Sequence, residues 1–135
     1  KFHMNDVCAT VGIENLKHVN EIVKKHRSNA AYYDDNLKNI NGITLLERNS
    51  SCNSAFWIYS ILVDNRDDFY KYMDKCNIAV SQVHERNDKH TCVKEFSTQL
   101  PNLDKTIGKI VNIPVGWWVT NEEREYIVNC IKKWN

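Results

Sequence analysis

Ala55-Phe56-Trp57-Ile58-Tyr59-Ser60-Ile61-Leu62-Val63 is the most strand-like stretch of this chain. Aromatic and β-branched side chains fill it, a polar run (47–54) leads in and Asp64-Asn65 closes it, so it predicts a central β-strand. Just upstream, Ile43-Thr44-Leu45-Leu46 is a second short apolar run, entered through the turn signal Asn41-Gly42. Downstream, Phe69, Tyr70, Met73 and Cys76 fall at helical spacing within residues 66–76, and residues 78–83 predict another strand. Residues 84–101 are polar enough to be mostly loop, 103–110 suit a short helix and 111–115 a short strand. Thr120, with Glu122-Glu123 in the first turn, caps a final helix that carries Tyr126, Ile127, Cys130, Ile131 and Trp134 and ends in Lys132-Lys133.

Ahead of the central strand, Leu16, Val19, Val23, His26, Ala30, Tyr33 and Leu37 repeat at alternating steps of three and four. The pattern predicts a long N-terminal helix over residues 6–37. At 1.5 Å per residue such a helix is ~45 Å long, against a radius of gyration of ~14 Å for a domain of this size. It must overhang its own domain unless Gly12 interrupts it. Val7, Val11 and Ile13 in the overhang would then need another domain or subunit to cover them. The elements together predict an α+β domain, with helices packed on one face of a small, mainly antiparallel sheet.

A length of 135 residues with 42% hydrophobic side chains suits one domain, residues 1–135, with one core. With 18 basic and 17 acidic side chains, the chain lacks the charge footprint of a nucleic-acid binder. No apolar run approaches the ~18 residues of a membrane span, and residues 1–6 carry no signal-peptide stretch. Cys8, Cys52, Cys76, Cys92 and Cys130 are scattered and odd in number, which fits reduced thiols and a cytoplasmic setting. The chain opens without an initiator methionine and runs almost at once into helix, as a chain cut from something longer would.

The densest polar constellation is His84-Glu85-Arg86-Asn87-Asp88-Lys89-His90, directly after a predicted strand. Strand ends are where rigid scaffolds present functional loops, and two imidazoles, a guanidinium and an amide suit a phosphorylated or hydroxyl-rich ligand. A solvated loop is the competing reading. His84, His90 and Cys92 do not match a zinc-ligand spacing, so no metal is assigned. Trp117-Trp118 after Val115-Gly116 is unusual, because adjacent strand residues face opposite sides and both cannot enter one core. One indole should face a ligand or partner, or lie on the surface under the last helix.

Lys1-Phe2-His3-Met4-Asn5-Asp6-Val7, followed by Ala9-Thr10-Val11-Gly12, resembles the Gly-Tyr-(Asn/Lys)-(Tyr/Phe)-x-Met-(Thr/Asn)-Asp-(Ile/Val) motif and small-residue stretch of the DegT/StrS aminotransferases. Lys25-His26-Arg27, Trp57-x-Tyr59, Arg66-Asp67, Val83-His84 six residues before His90, and Ile113-Pro114 before Thr120-Asn121-Glu122-Glu123 resemble further landmarks in the same order. The resemblance spans essentially the whole chain, with Glu85, Asn87-Asp88 and Gly116-Trp117-Trp118 as departures.

The resemblance implies the C-terminal small domain of a pyridoxal-phosphate-dependent enzyme of the aspartate-aminotransferase fold. Such enzymes are homodimers that move an amino group from glutamate to a nucleotide-linked keto-sugar, with cofactor and catalytic lysine on a large N-terminal domain. It also implies that Lys1 and His3 reach the cofactor phosphate of the neighbouring subunit, and that His84, Arg86, Asn87 and His90 lie near the sugar nucleotide. None of the thirteen lysines matches the catalytic one, so the chain alone should hold no cofactor and be inactive. The alternative is a free-standing binding module using Trp117, Trp118 and the 84–90 loop. A projecting N-terminal helix with bare apolar residues favours the severed domain.

Overall fold

The computed structural model describes residues 3–83 and 85–134. Helices α1 (Asp6–Leu16) and α2 (Val19–Leu37) lead into strands β1 (Ile43–Leu45) and β2 (Tyr59–Val63). Then come α3 (Arg66–Lys75), α4 (Pro101–Ile107), β3 (Ile110–Ile113) and α5 (Asn121–Lys133). The three strands form one antiparallel sheet in the order β1-β2-β3, so the segment 55–63 supplies the central strand.

Alternation along β2 sets the core. Tyr59, Ile61 and Val63 point to one face and are buried, where Val111 and Ile113 of β3 join them in register. Ala30, Tyr33 and Leu37 of α2, Phe69 and Met73 of α3, and Ile127, Val128 and Ile131 of α5 belong to the same cluster. Thr120 and Glu123 form a reciprocal capping box at the start of α5. Asn65 caps α3, accepting from the Asp68 N–H at 3.4 Å.

Three sequence expectations are corrected. The long helix is not interrupted at Gly12 but at Lys17-His18, where the Lys17 and His18 N–H groups bond three residues back, to Glu14 and Asn15, in a tightened turn. A mid-helix glycine costs only ~1 kcal/mol, so α1 runs through it.

The central strand begins at Tyr59, four residues later than its composition suggests. Phe56 sits in the left-handed region at φ 51°, and α2 takes up the preceding carbonyls. His26 Nδ1 bonds the Phe56 carbonyl at 2.8 Å, and Arg27 donates to those of Ser54 and Asn53. The backbone is thereby engaged with a helix instead of a neighbouring strand.

Residues 78–83 form no strand. They add a single bridge, Ser81 to Asn112, on the outer edge of β3. The buried Asn112 side chain occupies the next position, donating to the Val83 carbonyl at 3.3 Å and accepting from Ser60 Oγ at 2.5 Å. The predicted short helix and strand near residues 103–115 are present, shifted toward the N-terminus as α4 and β3.

The α1 helix buries nothing against its own domain: Val7 is 74% and Leu16 67% exposed, with Met4, Val11 and Ile13 also bare. No described helix is long and apolar enough to cross a membrane, and all five cysteines are free thiols.

Candidate functional site

The loop after Val83 is the first candidate. Its centre is Arg86, whose side chain is 16% exposed and gripped by two carboxylates. Nε donates to Asp88 Oδ1 at 2.6 Å, Nη2 to Asp88 Oδ2 at 2.5 Å, and Nη1 to Asp104 Oδ1 of α4 at 2.5 Å. The guanidinium holds the Asp88 carboxyl below the usual carboxylate range. Lys89 pairs with Glu85 at 2.8 Å and lowers the Glu85 carboxyl in the same way.

Arg86, Asn87 and Asp88 face a hollow of about 800 Å³ that Phe96, Leu103 and Ile110 also line. Asn87 and His90 are exposed, and the His90 N–H returns to the Asn87 carbonyl at 3.1 Å in a short 3₁₀ turn. The structure thus groups Arg86 with Asn87, while His90 stands beyond that lining. His84 and Lys1 lie outside the described residues. Among the described residues no three His, Cys, Asp or Glu side chains are placed to hold a metal ion.

Sequence reasoning missed how the Trp117-Trp118 turn is built. Neither indole enters the core, since β3 has already ended at Ile113, and the two are 55% and 63% exposed. Beneath them, the fully buried Asn29 of α2 directs its amide nitrogen at the carbonyls of Val115, Gly116 and Val119, 3.1 to 3.3 Å away. Tyr33 Oη donates to the Pro114 carbonyl at 2.7 Å, and burial pushes that phenol above its ordinary pKa. Trp118 folds back over Gly116, so close that an added Cβ would meet its ring at 2.3 Å, and sets its edge against His26. Gly116→Ala is therefore expected to swing the Trp118 indole away, with a red-shifted tryptophan emission and a stability loss of only about 1 kcal/mol, because the obstructing atom is the movable end of an exposed side chain. An unchanged spectrum would show that the ring does not rest there.

Residues 1–132 match the sequence profile of the DegT/DnrJ/EryC1/StrS aminotransferase family. This chain belongs to that family. The family assignment agrees with solved structures. The sugar aminotransferase CalS13 of Micromonospora echinospora is 40% identical with a TM-score of 0.94, over 98% of this chain and 36% of that one. AtS13 of Actinomadura melliaura gives the same identity and TM-score, over 98% and 35%. Among curated relatives, the UDP-4-amino-4-deoxy-L-arabinose–oxoglutarate aminotransferase of Shewanella sediminis is 27% identical over 130 residues, 85% of this chain and 34% of its own length. The chain thus spans about a third of the length of the DegT/StrS relatives it matches.

The described residues do not by themselves fit a pyridoxal phosphate. Such a pocket needs an enclosed lysine, a phosphate cradle and a carboxylate for the ring nitrogen. His3 is exposed ahead of α1, and every described lysine is exposed except the half-buried Lys25, which donates to Asn121 Oδ1 at 2.9 Å.

Proposed function

We propose that this chain is the C-terminal small domain of a pyridoxal-phosphate-dependent sugar aminotransferase that moves an amino group from glutamate to a nucleotide-linked keto-sugar in the cytoplasm. Cofactor and catalytic lysine then belong to a large domain that this chain does not include, and a second subunit of a homodimer completes the site, with Lys1 and His3 reaching toward the cofactor phosphate.

The observation that carries the reading is α1. At ~100° per residue, Val7 and Val11 lie on one side of the helix, and Ile13 and Leu16 on the other. All four are exposed. A helix apolar on opposite flanks is suited to being enclosed between two bodies, and a docked large domain and a partner subunit are two such bodies. The sugar names of the matched relatives and the 40% identity to a sugar aminotransferase support the substrate class.

In that enzyme the 84–90 loop meets the sugar nucleotide. Asn87 offers an amide and His90 an imidazole to hydroxyl or phosphate oxygens, and the family resemblance assigns His84 the same role. His90→Ala or His84→Ala in the assembled enzyme is expected to raise the KM for the sugar nucleotide about tenfold, the ~1.4 kcal/mol of one good polar contact, and to leave cofactor affinity unchanged. A lost cofactor affinity at constant KM would place these residues elsewhere.

A further inference from the structure

The guanidinium of Arg86 is the one strongly cationic fork in the candidate loop, and its surroundings are wrong for an anion. One positive charge faces the two negative charges of Asp88 and Asp104, all three nitrogens are already donating, and the Lys89 charge beside it is offset by Glu85. A phosphate entering here would be repelled by two carboxylates and attracted by one arginine that they already neutralise.

The same contacts look like a clamp. Asp104 sits on α4, and the far end of α4 is fixed independently: the Ile107 carbonyl accepts from Arg66 Nη1 at 2.9 Å and from Gln82 Nε2 at 3.4 Å. Gln82 lies one residue ahead of Val83, the last before the loop, and the Val83 carbonyl is bonded by the buried Asn112. The chain is thus pinned to α4 at Gln82 and again at Arg86. Between Arg86 and His90 the bidentate Asp88 pair and the Asn87-to-His90 turn set the backbone.

We propose that Arg86 is a positioning residue: through Asp88 and Asp104 it holds the loop against α4 so that Asn87 and His90 are presented to the ligand, and it does not itself contact the ligand. This rests on the loop being the sugar-nucleotide site, and it reassigns the role the family resemblance implies for Arg86.

The test is amide hydrogen exchange on the 135-residue chain, with a pyrophosphate titration followed by NMR. Asp104→Asn is expected to speed exchange at the His90 amide at least tenfold and to leave the β2 amides of Ile61 and Val63 protected. Asp104→Glu should restore most of the protection, which a general loss of stability would not. Sodium pyrophosphate added to the unaltered chain should shift the Asn87 and His90 signals and leave the Arg86 Nε–H signal in place. Unchanged exchange in Asp104→Asn would overturn the clamp, and a pyrophosphate-dependent shift of Arg86 Nε–H would overturn its non-contact role. Should Asp104→Asn unfold the chain, the Ile61 and Val63 amides lose protection too, and the titration of the unaltered chain decides. Failure of the aminotransferase reading would show separately, as absent sugar-nucleotide turnover when the chain is mixed with the matching large domain, with this exchange pattern intact.

Discussion

Asn29→Ala is expected to destabilise this domain by about 3 kcal/mol, although the substitution removes only a small side chain from a helix. The Asn29 amide nitrogen is shared among three buried carbonyls, and its oxygen accepts from Arg124 Nη1 at 3.3 Å. Alanine leaves the Val115 and Val119 carbonyls without their side-chain donor where water is excluded, while the Gly116 carbonyl keeps the Val119 N–H at 3.0 Å, and each unsatisfied buried group costs ~1–3 kcal/mol. Alanine's better helix propensity returns less than ~1 kcal/mol. Asn29→Asp should be at least as damaging at neutral pH, because a carboxylate would face carbonyl oxygens. Burial would raise the pKa of that carboxyl, so protonation restores a donor and the defect should ease as pH falls. Urea denaturation checks both: the midpoint should fall with little change in slope, and a loss under ~1 kcal/mol for Asn29→Ala would mean that the turn is held by other contacts.

Asn29 also shows why part of the site was illegible in the sequence. Its partners lie 86 to 90 residues along the chain, and a single asparagine in a charged helix looks like a solvent-facing residue. Arg86 presents the same difficulty, since Asp104 is 18 residues away and the loop's composition gave no sign that the arginine was already paired. What was legible depended on composition, period and caps: the aromatic and β-branched run that contains Tyr59 to Val63, the three-and-four spacing of Ala30, Tyr33 and Leu37, and the N-cap at Thr120. The start of β2 and the failed strand at residues 78–83 were illegible because side chains of His26, Arg27 and Asn112 take up the backbone groups a ladder would have used. The ordered landmarks carried the family, and they did so where no single motif was specific.

The second large effect concerns chemistry. The 135-residue chain by itself is expected to transfer no amino group, a loss of the entire activity, because imine chemistry needs one lysine of lowered pKa beside a phosphate cradle and a carboxylate partner. The half-buried Lys25 is bonded to Asn121, and the other described lysines are exposed. Exposed lysines form weak, unselective adducts with excess pyridoxal phosphate, so absorbance alone discriminates poorly.

Borohydride reduction after incubation with stoichiometric pyridoxal phosphate, followed by peptide mapping, separates the cases when it is run on the chain alone and on the chain mixed with the matching large domain. The expected result is scattered, substoichiometric labelling of the chain in both samples, with amino transfer from glutamate to a nucleotide-linked keto-sugar only in the mixture. A single lysine of this chain labelled one to one, together with amino transfer by the chain alone, would contradict the assignment of the catalytic centre to another domain.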